Sequence, residues 1–178
     1  MAAAATPSPI SPVIDSAAID VDAVRVPAAA PLRASAAVCA GGRTVAARRA
    51  RVACLVDRAR GSAGLRGFRG HPALARAAGR HARDMVRARF FGHQRAGGPS
   101  LRRRAKRAGW RGGRLAEAIA YGCGRSASPA AIVRSWLRSP PHRAILLSSS
   151  MSRVGIGVAR RAPVSCRGGA TFVLDAGG

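Results

Sequence analysis

The stretch Ser135–Leu147, SWLRSPPHRAILL, decides the reading of this chain. Trp136 closes an amphipathic run in which Ile132, Val133, Trp136 and Leu137 recur at helical spacing. Ser139-Pro140-Pro141 must then stop the helix, because proline has no N–H to donate and restricts the residue before it. His142 and Arg143 come next, a polar pair just past the break. Ile145, Leu146 and Leu147 then return to apolar character. A polar pair pinned between a helix stop and a buried run is held by rigid flanks, the usual support of a site. The plainer alternative is that His142 caps a helix or satisfies a carbonyl.

Outward from this stretch the pattern divides. Upstream, Ser128-Pro129 starts the helix that ends at Trp136. Downstream, Val154, Ile156 and Val158 alternate with Gly155 and Gly157, a strand whose other face is nearly bare. Gly168-Gly169 leads to a last strand, Thr171 to Leu174. Leu115 to Tyr121, LAEAIAY, alternates and is either a strand or an irregular extended piece. Ser100 can cap a helix with Leu101, Ala105 and Ala108 one turn apart. Pro72 stands at a first-turn position, ahead of Leu74, Ala78, His81 and Met85 on one helical face ending near Phe90-Phe91. His81 on that apolar face reads as a core histidine rather than a ligand. Thr44 to Arg60 reads as a first helix capped by Thr44, with Val45, Val52, Leu55, Val56 and Ala59 at helical spacing. Helices come early and clear strands late, which predicts an α+β fold with an antiparallel sheet. Residues 1–38 are Ala/Pro-rich and read as a disordered lead; residues 39–178 read as one folded domain.

Lys+Arg number 31 against 7 Asp+Glu, a net charge of +24, and Lys106 is the only lysine. Such a charge attracts polyanions, although the arginines are scattered from Arg25 to Arg167 and their stems also cover apolar surface. Four cysteines, Cys39, Cys54, Cys123 and Cys166, form no C-x-x-C pair, which disfavours zinc-ribbon and thioredoxin readings. An even count in a small chain suits two disulfides in an oxidising compartment, and spacing alone permits three pairings. No apolar run is long enough for a transmembrane segment. The N-terminus lacks a basic segment followed by an apolar core, so a standard signal peptide is not recognisable in it.

His93 follows the second helix, Glu117 lies inside the apolar LAEAIAY segment, and His142 stands at the central break. They are too far apart in sequence to form a local metal motif. Glu117 is the only carboxylate between Asp84 and Asp175, and a buried carboxylate needs a partner. Two imidazoles and a carboxylate also form a familiar set for a divalent transition metal.

Five ordered segments resemble the CAP superfamily of cysteine-rich secretory, antigen-five and pathogenesis-related proteins, in its bacterial SCP-like form. CLVDRARGSAGL resembles the family's opening helix. HARDMVRARFFGH resembles its second helix, with His93 at the terminal histidine. AEAIA stands where the family has G-E-N-I-A, placing its Glu at Glu117. WLRSPPHRAIL resembles W-x-x-S-P-G-H-R-x-x-I-L, placing the second histidine at His142. VGIGVA and TFVLD fit the terminal strands. The resemblance runs from about Ala53 to Gly177. Ala116 and Ala118 replace Gly and Asn, Pro141 replaces Gly, and Ser139 occupies the position of a second Glu of animal and plant members.

The resemblance implies an α-β-α sandwich with a small antiparallel sheet between helices. It implies a cleft of His93, Glu117, His142, Ser139 and Arg143, with His93, His142 and Glu117 as a ligand set for weakly bound Zn²⁺ or another divalent metal. Glu117 would either ligate or orient an imidazole. The family has no single reaction, and no residue is assigned as catalytic. Cys39 and Cys54 flank the domain entrance, and Cys123 and Cys166 can both lie near the sheet's edge, so Cys39–Cys54 and Cys123–Cys166 are the expected bridges. The favoured function is a secreted, extracellular or cell-envelope binding module with an unknown ligand there. The rivals are a metal-assisted hydrolase using Glu117 as ligand or base, and an arginine-driven binder of anionic polymers.

Overall fold

The computed structural model describes Cys39 and residues 41–178. The lead read as residues 1–38 lies outside the described residues. Helix α1 (Val45–Ser62) starts at Thr44, whose Oγ1 accepts the Ala47 N–H at 3.1 Å. A two-residue strand β1 (Arg69–Gly70) precedes α2 (Pro72–Arg87), which opens on Pro72 as expected and stops short of Phe90. Ser100 caps α3 (Leu101–Arg107) by accepting the Arg103 N–H at 3.4 Å. The LAEAIAY segment is a true strand, β2 (Leu115–Gly122), buried along its length. Ser128 caps α4 (Pro129–Arg138), accepting the Ala131 N–H at 3.3 Å.

The proline pair does more than stop α4. Pro140 and Pro141 occupy the first turn of a further helix, α5 (Pro140–Leu146), where a missing N–H costs nothing and the fixed φ suits the helix. His142 and Arg143 are therefore not a pair presented together past a break. Both lie in α5, His142 fully buried and Arg143 exposed. Strands β3 (Arg153–Ala159) and β4 (Ala170–Gly177) complete the chain.

The sheet order is β1-β3-β4-β2. Strand β4 pairs antiparallel with both β2 and β3; only the short β1 runs parallel, against β3, a pairing the sequence pattern did not show. The alternation of each strand feeds two cores. Val52, Val56, Ile132, Trp136 and Leu146 from α1, α4 and α5 meet Ala118, Ile156, Phe172 and Leu174 on one sheet face. Leu74, Ala77, Ala78 and Met85 from α2 meet Leu115, Ile119 and Val173 on the other, with Ala105 of α3. This is the expected α+β sandwich.

The bare face of β3 is where α2 lies. A Cβ on Gly155 would stand 2.6 Å from the Leu74 Cβ, and one on Gly157 2.5 Å from the Gly79 N. The helix backbone rests directly on the strand, which only glycine permits. Both expected disulfides form, Cys39–Cys54 and Cys123–Cys166. No helix among the described residues is long and apolar enough to cross a membrane.

Candidate functional site

Glu117 sits in mid-strand of β2, its side chain turned with Leu115 and Ile119 toward the α2/α3 layer. Both its oxygens are engaged. Oε2 accepts from Arg104 Nη2 at 2.6 Å, and Oε1 accepts from His93 Nδ1 at 2.8 Å. Arg104 also donates through Nη1 to the carbonyls of His93 at 2.6 Å and Pro99 at 3.1 Å. One guanidinium on α3 thus ties the loop bearing His93 to the carboxylate that orients His93. His81 lies 3.8 Å from Glu117 Oε1, but its Nε2 donates to the Gly92 carbonyl at 3.1 Å. That makes it a satisfied core histidine, 2% exposed.

The charges sort by these contacts. Burial alone would raise the Glu117 carboxyl; the His93 hydrogen bond and the Arg104 charge outweigh it and lower the pKa to about 2. Asp175 stands opposite Glu117 in the β2–β4 register. Burial first, and the Glu117 charge second, push the Asp175 carboxyl well above the ordinary range, which favours its neutral form. Burial first, with the Glu117 charge opposing, lowers His81.

His142 reaches the site from the other layer. Its Nδ1 lies 2.9 Å from Ser139 Oγ. Burial first, and nearby His93 second, lower its pKa to about 4, so it is neutral at physiological pH. Trp136 Nε1 donates to the Ile119 carbonyl at 3.2 Å, pinning α4 to β2, the edge strand next to which these groups gather. Among the described residues, the buried side-chain atoms of this network without a hydrogen-bond partner are His93 Nε2, His142 Nε2, Arg104 Nε and both Asp175 oxygens. In the neutral tautomer whose Nδ1–H donates to Glu117, His93 Nε2 carries a lone pair. His142 takes the same tautomer when Nδ1–H donates to Ser139.

No three His, Cys, Asp or Glu side chains among the described residues are placed to hold an ion together. Glu117 spends both oxygens on Arg104 and His93, which leaves it as the holder of His93. Arg143 is exposed on α5 and, among the described residues, makes no hydrogen bond to these groups. Two residues of the network escaped the sequence reading, Arg104 and Asp175. Arg104 shares a helical face with Leu101, Ala105 and Ala108, and a basic residue on an apolar face is the signal that would have found it. Asp175 falls on the same strand face as Thr171 and Val173.

The model of the cysteine-rich secretory protein family, CAP, matches residues 54–174 and so contains His93, Arg104, Glu117 and His142. The chain belongs to the CAP family. Among solved structures, this CAP chain is similar to an outer surface protein of Borrelia burgdorferi, with 18% identity and a TM-score of 0.61 over 71% of this chain and 88% of that one. An extracellular SCP-domain protein of Bacillus anthracis gives 20% identity and a TM-score of 0.62 over 78% of this chain and 45% of the other. A cysteine-rich secretory protein of Staphylococcus aureus gives 16% and 0.56, over 74% and 38%. At these identities the likeness concerns the CAP fold, and the chain spans less than half of the latter two proteins. No curated protein matches it.

Proposed function

We propose that this CAP domain is an exported binding module whose recognition centre is the His93–His142 pair beside β2. The observation that carries this reading is the commitment of Glu117. A hydrolytic base must be free to take a proton near neutral pH. Glu117 is held at about 2 with both oxygens engaged, and His142 is held at about 4. Ser139, the nearby hydroxyl, therefore has only a weak base beside it. Two disulfides support an oxidising, extracellular setting, as does the likeness to outer-surface and extracellular proteins.

The buried, unpartnered Nε2 atoms of His93 and His142 suit a donor-seeking ligand, either a polar hydrogen or a divalent ion such as Zn²⁺. His93 and His142 would hold the ion, and Glu117 would fix His93 from behind. A bound ion would supply Lewis acidity toward an oxygen-bearing ligand. Two protein donors make such binding weak, and imidazole protonation removes it as pH falls. Calorimetry with Zn²⁺ on the wild type and on the His93→Ala/His142→Ala double variant tests the pair. A weak heat in the wild type and none in the double variant are expected; equal heats would remove the metal reading. Hydrolysis of an ester or peptide panel by the wild type that Glu117→Gln abolishes would overturn the binding-module reading itself.

A further inference from the structure

Helix α2 turns Leu74, Ala77, Ala78 and Met85 to the sheet and leaves Arg76, Arg80, Arg83 and Arg87 exposed. Steps of four, three and four residues align these arginines in one outward stripe. At a rise of 1.5 Å per residue the stripe extends about 16 Å. Arg80, Arg83 and Arg87 line a shallow groove with Asp84. Arg87 also lines the adjoining groove, with Arg89 just past α2 and with Arg160 and Arg161 from the β3–β4 connection. Gly168 and Gly169 also line that second groove. Six exposed arginines therefore line the two grooves, which share Arg87 and form one continuous path.

These charges have almost no internal compensation. Among the described residues, Asp84 is the only carboxylate along the path, and it pairs with Arg87 at 2.5 Å. Beside the stripe, Arg49 of α1 reaches the same point as Arg83: Arg49 Nη2 and Arg83 Nη1 lie 3.3 and 3.6 Å from where a Cβ of Gly79 would stand. Arg49 Nε is buried with no hydrogen-bond partner. Like charges gathered without a carboxylate repel unless an external anion neutralises them. Guanidinium groups match phosphate oxygens in a bidentate geometry. The length of the path calls for a polymer rather than a single small anion. Among the described residues, neither groove is lined by an aromatic side chain on which bases could stack.

We propose that this arginine path binds a linear, base-free phosphate polymer outside the cell, contacting its backbone along α2 and across the β3–β4 connection. Long-chain inorganic polyphosphate is the probe, with binding followed by fluorescence anisotropy across a salt series. The full chain is compared with two variants of equal net charge. One carries Arg80→Gln, Arg83→Gln, Arg87→Gln and Arg160→Gln. The other carries Arg58→Gln, Arg66→Gln, Arg134→Gln and Arg138→Gln, all exposed and outside the two grooves. Each lost phosphate contact lowers the slope of log affinity against log salt by about 0.7 for a single-stranded polyanion. The groove variant should lose about 3 from that slope and bind about tenfold or more weaker than the control variant. Equal loss in both variants would show that net charge alone acts, and would overturn the path. Single-stranded DNA of matched charge bound about tenfold tighter than polyphosphate, with the same variant sensitivity, would overturn the base-free ligand in favour of nucleic acid. All three proteins should keep the wild-type circular dichroism spectrum, since the substituted side chains are exposed.

Discussion

Gly157→Ala tests the direct seating of α2 on β3. The added Cβ would stand 2.5 Å from the Gly79 N and still closer to the Ala78 carbonyl carbon and oxygen. These are backbone atoms, so no side-chain rotation can relieve the overlap. Restoring van der Waals contact at about 3.5 Å requires helix and strand to separate by about 1 Å. That separation also loosens Ala78, Ala82 and Met85 against Ile119 and Val173, all fully or almost fully buried. Overpacking a close-packed core typically costs about 1–3 kcal/mol; with backbone on both sides and a neighbouring layer disturbed, a cost at or above about 3 kcal/mol is expected. In a domain of this size that lowers Tm by about 6–12 °C. Gly70→Ala is the matched control: it has nothing within 4 Å of its added Cβ, and its cost should stay within about 0.5 kcal/mol. Thermal unfolding followed by circular dichroism reads both. A Gly157→Ala protein melting with the Gly70→Ala protein would refute the claim that helix and strand backbones touch there.

Further outcomes follow from the same contacts. Trp136→Ala removes a fully buried indole and its hydrogen bond to Ile119 and should cost about 3–5 kcal/mol, so a near-native denaturant midpoint would contradict its place in the core. Removing the Cys123–Cys166 bridge, which closes a 43-residue separation, should cost about 4 kcal/mol in the chain-entropy account; an unchanged midpoint under reducing conditions would count against it. His142 and Glu117 have folded pKa values of about 4 and about 2, below their ordinary values of 6.5 and 4.5. The stability each contributes is present above its unfolded value and is lost as pH falls, through pH 6.5–4 for His142 and 4.5–2 for Glu117. A Tm that stays level from pH 7 to pH 4 would be inconsistent with a buried neutral His142. Asp175 has the opposite sign: its folded pKa is raised above 3.8, so its contribution is lost as pH rises from there. Asp175→Asn should therefore raise Tm at pH 7 and leave it unchanged at pH 3, and equal effects at the two pH values would refute its protonated state.

The local signals were legible because they are written in adjacent residues. Caps at Thr44, Ser100 and Ser128, the proline opening α2 and the glycine alternation of β3 each act over a turn or a few residues, and the structure places all of them as read. The motif order was sufficient for the family, and His93, Glu117 and His142 were visible as isolated polar residues in apolar company. The proline pair was read only in half, as a stop. Whether a proline also starts a helix depends on what the following turn can bury, and α5 buries His142, Ile145 and Leu146.

What sequence alone determined, then, is the set of elements, their order and the polar residues that must find partners. What only the tertiary structure decided is who those partners are. Glu117 could have ligated, catalysed or paired with any arginine in a chain with a net charge of +24. Packing α3 beside β2 brought Arg104 to one oxygen, and the loop after α2 brought His93 to the other. The same packing set Asp175 across the strand from Glu117, which pushes its carboxyl upward. The charge pairing and the unpartnered Nε2 atoms are consequences of distances between elements far apart in the chain, and those distances are set by how the layers close over the sheet.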